Sequence, residues 1–263
     1  MTSRIPVCFD VLGTCFSFEA ATTALLGVFP KLNPPHADSI IQDWFHSAQR
    51  DFTYLSMNGD YKPIAQVLKQ TLPRIYHMNQ LVDTPTNQSI DSNLLDPIIS
   101  SIPKMGSRPG LQSCTRLLHD STKFKLLAVT NGGLETTRNY FYNAFKGDSG
   151  GDGKKLVEEE FEWSFLSCDE IKVAKPDQKV YDNVWKRLKE DDEGTDRREG
   201  WFVASHTWDL HAAKKAGFKT AFVTYEEHLV LPELFGQPDI VAKDLEDVAR
   251  QIIAWEEGEK NMK

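Results

Sequence analysis

Four places in the chain set side chains able to do chemistry just past what read as buried strands. Asp10 closes the apolar run Ile5 to Phe9 and is followed by Leu12-Gly13-Thr14. Thr130-Asn131-Gly132 follows the run Phe124 to Val129, Lys175 follows a strand expected over Phe161 to Ser167, and Ser205 to Asp209 follow Trp201 to Ala204. A carboxylate can act as nucleophile or base, and an ammonium beside it favours its anion. Taken singly, each place has a structural explanation. Asp10 and Thr130-Asn131-Gly132 suit turns, Lys175-Pro176 suits a solvated loop, and Asp209 sits where a helix N-cap is wanted. Gathered at one mouth they would be expensive as structure alone, because buried charge is costly unless paired.

The elements decide whether they meet. Strands at Ile5–Asp10, Phe124–Val129, Phe161–Ser167, Trp201–Ala204 and Thr220–Thr224 alternate with helical patterns at 111–119, 135–145, 178–189, 209–217 and 245–255. Such alternation predicts an α/β fold, a parallel sheet with helices on both faces. Ligands in that fold bind beyond the carboxyl ends of the strands, where all four places fall. Residues 17–103 read differently. Apolar residues recur there at helical spacing (Ile40, Ile41, Trp44, Phe45, Ala48 and Phe52 are the longest stripe), with a break expected at Pro73. The organisation expected is a core of residues 1–16 and 104–263 with a helical insertion at 17–103. Residues 146–160, with four glycines, and residues 191–199, rich in charge, read as loops.

Composition removes several function classes. The 263 residues hold 30 Lys and Arg against 38 Asp and Glu, a net −8 with no basic block. Nucleic-acid binding therefore lacks the clustered cations it needs. No apolar run reaches the ~20 residues that span a bilayer, and the N-terminus has no signal-peptide pattern, so a cytoplasmic protein without membrane contact is expected. Cys8, Cys15, Cys114 and Cys168 form no C-x-x-C pair and read as reduced thiols rather than a disulfide frame. Cysteine and histidine spacing offers no structural zinc site.

The order of the four segments resembles the haloacid dehalogenase superfamily. The matching stretches are F-D-V-L-G-T at Phe9 to Thr14, V-T-N-G at Val129 to Gly132, A-K-P-D-Q-K-V-Y at Ala174 to Tyr181, and F-V-A-S-H-T-W-D at Phe202 to Asp209. Trp208-Asp209, the Lys175-to-Tyr181 segment and Phe52-Thr53-Tyr54-Leu55 are most similar to the type II (S)-2-haloacid dehalogenases. The resemblance implies a Rossmann-like core, a helical cap domain after the first strand, and a homodimer. It implies Asp10 as nucleophile, forming an ester with the carbon that loses halide, and water then hydrolysing that ester. Lys175 would hold Asp10 ionised. Thr14, Thr130 and Asn131 match positions that orient the carboxylate or substrate, and Tyr181 and Asp209 match positions that bind substrate and place the water. Ser205 lies in the same substrate-binding segment. The substrate implied is a small organic acid, with no cofactor and no metal.

Departures from the family pattern sharpen this. The Mg²⁺-dependent phosphatases of the superfamily carry a second Asp two residues after the nucleophile, where this chain has Leu12, and Gly-Asp where it has Ala204-Ser205. Mg²⁺ prefers carboxylate ligands, so a phosphatase is disfavoured. Halide leaves without a proton, which suits a site lacking that acid. The family's halide-contacting arginine falls on His46, with Arg50 one turn further along the same helix face. The family's asparagine in the last segment is His206, and Leu12 replaces an aromatic wall residue. His46 and His206 leave open a hydrolase or lyase acting on another small organic molecule. A non-catalytic binding protein is the least supported alternative, since Asp10, Thr14, Asn131, Lys175 and Asp209 all remain.

Overall fold

The computed structural model describes residues 4–85, 88–146, 151–191 and 199–258. Ser17–Gly106 forms one compact unit, and the residues up to Phe16 with those from Ser107 onward form the other. Among the described residues the strands are β1 (Ile5–Asp10), β2 (Phe16–Ser17), β3 (Gly106–Ser107), β4 (Phe124–Thr130), β5 (Ser164–Ser167), β6 (Trp201–Ala204), β7 (Lys219–Val223) and β8 (Ile240–Ala242). Six of them make one sheet in the order β5-β4-β1-β6-β7-β8, and β2 with β3 makes a small ribbon. Every described pairing in the large sheet is parallel. The order runs outward in both directions from β1, as in doubly wound sheets, so the chain reverses direction at β1 and opens a crevice beyond its carboxyl end. Register brings the strand ends level, with Asp10 opposite Val129 and Thr130 opposite Ser167.

β1 lies at the centre because Val7, Cys8 and Phe9 are apolar on both faces and fully buried. All four cysteines are free and buried. Several sequence expectations change in this unit. β5 begins at Ser164 rather than Phe161, because Leu156–Glu160 winds into a π-helical turn that buries Val157 and Phe161. Within 146–160, the described part from Gly151 on is not a solvated loop. Gly153–Lys155 is helical, capped by Asp152 accepting from the Lys155 N–H at 3.1 Å. Residues 147–150 of that stretch, and 192–198 of the second expected loop, lie outside the described residues. The helix expected at 209–217 starts earlier, spanning Thr207–Lys215. β8 has no counterpart in the sequence reading.

The Ser17–Gly106 unit is helical. Its longest helix, Pro34–Met57, opens where Asn33 accepts from the His36 N–H at 2.9 Å and prolines occupy the first turn, where no N–H partner is needed. Its apolar stripe packs on the Ile64–Met78 helix, and the Trp44 indole donates to Leu68 O at 3.1 Å. That second helix does not break at Pro73. A proline inside a helix costs about 3 kcal/mol. Leu72, Ile75 and Tyr76 are fully buried around it, each contributing roughly 1.5–3 kcal/mol, so packing wins. No helix among the described residues is long and apolar enough to cross a membrane.

Candidate active site

The sheet's carboxyl edge brings Asp10, Thr14, Thr130, Asn131, Lys175, Tyr181, Ser205, His206 and Asp209 together in one buried cluster. At its centre Lys175 is 0% exposed, which overturns the solvated-loop explanation. Its ammonium lies 2.6 Å from Asp10 Oδ1 and 2.7 Å from Asp209 Oδ2. The Lys175 N–H donates to Asn131 Oδ1 at 3.0 Å, so Asn131 fixes the lysine's backbone. Removing one partner from a buried ion pair typically costs 3–5 kcal/mol because it strands the other charge. Here loss of Lys175 would strand two.

The second oxygen of Asp10 is held from the opposite side. Thr14 Oγ1 donates to Oδ2 at 2.6 Å and itself accepts from the Ser205 N–H at 2.9 Å. His206 Nδ1 lies 3.4 Å from the same oxygen. The turn that carries Thr14 requires Gly13, whose φ is +86°, and a Cβ there would sit 3.1 Å from His206 Cε1. Leu12 is buried beside this turn. Ser205 is buried, and its Oγ has no hydrogen-bond partner among the described residues.

Asp209 departs from its N-cap reading. The cap position of its helix is His206, and Asp209 lies in the first turn with its carboxylate directed to Lys175 and to the Tyr181 hydroxyl, which donates to Oδ1. The helix start is instead served by Glu227, which accepts from the Thr207 N–H at 2.8 Å and its hydroxyl at 2.6 Å. Thr130 keeps a turn role, its Oγ1 accepting from the Gly132 N–H at 2.9 Å.

Electrostatics follow from this geometry. Burial alone would push the Asp10 carboxyl up, but the Lys175 ammonium and then His206 outweigh it and hold it well below the usual carboxylate range. Burial pushes Asp209 up, Lys175 pulls it down, the nearby Asp10 charge pushes again, and the net is upward. Burial opposes the Lys175 charge, yet the two carboxylates hold its pKa above that of a free lysine. Burial and Asp209 raise Tyr181, which keeps it a hydroxyl donor. The site thus holds one deeply ionised carboxylate and one that resists ionisation. Lys175 is the cation between the two carboxylates, and the Leu12 side chain supplies neither a carboxylate nor a proton donor. Among the described residues no group of three His, Cys, Asp or Glu side chains is arranged for a metal.

Sequence reasoning missed Arg108. Its side chain donates to Gly13 O at 3.2 Å and its N–H to Cys15 O at 2.8 Å, while its guanidinium pairs with buried Glu226. Nothing in the sequence links residues 108, 13 and 226, which meet only through the fold. His46 and Arg50 belong to the other unit. Both are exposed on the Pro34–Met57 helix, and the Arg50 guanidinium is 3.1 Å from Asp51, which also pairs with Arg74 at 2.5 Å.

No protein-family model matches the chain. An (S)-2-haloacid dehalogenase of Pseudomonas putida is 22% identical over 252 residues, 94% of this chain and 96% of the relative. One from Pseudomonas fluorescens is 22% identical over 93% and 95%. Among solved structures, the L-2-haloacid dehalogenase of Xanthobacter autotrophicus with chloropropionic acid covalently bound superposes with a TM-score of 0.69 at 20% identity, covering 95% of this chain and 98% of that one. The magnesium-bound putative hydrolase YfnB of Bacillus subtilis reaches 0.64 at 15% identity, covering 94% and 98%.

Proposed function

The chain is haloacid dehalogenase-like, similar to the type II branch, and from that premise we propose that it is a metal-independent hydrolase converting a small 2-haloacid to the 2-hydroxy acid and halide. One observation carries the reading most. Asp10 is buried and ionised, with one oxygen on Lys175 and the other on Thr14, the state a carboxylate needs to attack carbon. Asp10 displaces halide and becomes an ester. Lys175 first holds the anion and then opposes the negative charge that develops as water attacks the ester. Asn131 positions Lys175, and Tyr181 and Asp209 sit on its far side. Thr130, Ser205 and Leu12 complete the substrate wall, and the Ser17–Gly106 unit serves as the cap that limits bulk water during the first step. A homodimer is part of this reading and rests on the resemblance alone, and a cytoplasmic location rests on the four unpaired cysteines.

Incubation with (S)-2-chloropropionate and a chelator tests it. Chloride is expected from the wild type and none above background from Asp10→Asn. No chloride from the wild type would sink the haloacid substrate. A second reading, another small organic acid with a different leaving group, is favoured by one observation: Arg50, the stand-in for the missing halide contact, is paired with Asp51.

A further inference from the structure

We propose that His206 is a catalytic residue of the second half-reaction, taking the proton of the water that attacks the Asp10 ester and returning it to the departing oxygen. The inference rests on the reading of Asp10 as nucleophile. The position of the ring says which step it serves. In an in-line displacement the leaving atom departs on the side of the carbon opposite the attacking oxygen. His206 lies on the carboxylate's own side, with Nδ1 3.4 Å from Asp10 Oδ2. It is therefore badly placed for the leaving halide and well placed for chemistry at the Asp10 carboxyl carbon.

The two oxygens of Asp10 divide the work. Oδ1 keeps the Lys175 ammonium at 2.6 Å and becomes the ester carbonyl oxygen, where negative charge develops. Oδ2 becomes the oxygen bonded to the substrate. Water adds to the carboxyl carbon while His206 accepts its proton, giving a tetrahedral intermediate. The bond from that carbon to Oδ2 then breaks. Oδ2 leaves with the substrate carbon, taking the proton from His206 to become the product hydroxyl. Asp10 is left as a carboxylic acid that holds the water's oxygen and its second proton; release of that proton to solvent restores the carboxylate, and one water is consumed.

The alternative base is less available. Asp209 already accepts from Tyr181 on one oxygen and Lys175 on the other. His206 is held for its task, 1% exposed, its ring stacked on Trp208 at 5.3 Å and its far edge against Gly13. A neutral imidazole carries one ring nitrogen able to accept a proton, and a positioned general base contributes about 10²–10⁴-fold.

The test separates the two steps. Wild type, His206→Asn and His206→Gln, each checked for folding by thermal melt, are mixed with (S)-2-chloropropionate; chloride and intact protein mass are followed together. Both variants are expected to release about one chloride per molecule and then stall. The ester should accumulate on the Asp10 peptide, with hydrolysis slowed about 10²-fold or more. In D₂O the wild-type hydrolysis phase should slow while the chloride burst does not. Full turnover by the variants without accumulated ester would overturn the role of His206, as would equal loss of both steps. Absence of ester and chloride from the wild type itself would overturn the haloacid reading on which this inference rests, and the inference with it.

Discussion

Asp10 keeps its charge in a setting that burial alone would make hostile to it, and Asp209 bears much of the consequence. The two carboxylates share one ammonium, so each raises the other's cost of ionising. The folded-state pKa of Asp209 is raised above its ordinary 3.8. The stability it contributes is therefore fully present below that ordinary value and is lost as pH rises through the raised one. Asp209→Asn removes this loss and also relieves Asp10, whose own lowered pKa contributes stability above 3.8. The Asp10 effect is already complete above 3.8, so the Asp209 effect alone sets the trend at higher pH. The melting temperature of Asp209→Asn relative to wild type should climb as pH rises from about 4 through the raised pKa of Asp209. A difference that stays flat or falls over that range would contradict the shared-lysine arrangement. The residues of this cluster were legible because the chemistry is written in residue type at strand ends. Lys175 was legible as the partner of Asp10, but other pairings were not. Asp209 reads as a cap until Glu227, distant in sequence, is seen to serve the helix start.

At the scale of elements, long patterns were legible and short ones were not. β1 and β4 are apolar runs ending in polar groups, interrupted only by Lys125 in β4, and the Pro34–Met57 helix carries a long stripe. β8 has three residues, with Val241 exposed between buried Ile240 and Ala242, too brief a signal to separate from a loop. Glycine and charge at 151–160 imitate a solvated loop, yet the backbone folds back tightly on itself. The sharpest test is Gly153, where a Cβ would meet the Tyr142 carbonyl oxygen at 1.9 Å. A backbone clash of that kind cannot be relieved by a rotamer change. Gly153→Ala should destabilise by at least the 1–3 kcal/mol typical of overpacking, lowering the melting temperature by about 2–4 °C per kcal/mol. Gly27 is the control: it lies in a helix with nothing within 4 Å of its Cβ position. Gly27→Ala should be stabilising by about 0.5–1 kcal/mol. Equal tolerance at both positions would restore the loop reading.

Charge is where the whole molecule bears on the reaction. The chain carries a net −8, and an anionic haloacid approaches against that field. Lys175 looks in the sequence like the cation that would overcome it. In the fold, Lys175 is already bound to Asp10 and Asp209, leaving a negative charge over when both are ionised. Arg108 is likewise paired with Glu226. Attraction by a local cation thus cannot dominate long-range encounter, and repulsion should be visible wherever screening is weak. The screening length shrinks from about 30 Å at 0.01 M salt to about 8 Å at 0.15 M. For (S)-2-chloropropionate, kcat/KM should therefore rise over that range, the reverse of electrostatic steering. The uncharged 2-chloropropionamide provides the comparison, since net protein charge does not oppose a neutral molecule. Its kcat/KM should stay flat if it turns over at all. A value for the anion that falls with salt would mean that a cation outside the Asp10–Lys175–Asp209 cluster draws the substrate in, and Arg50 with His46 would be the first place to look.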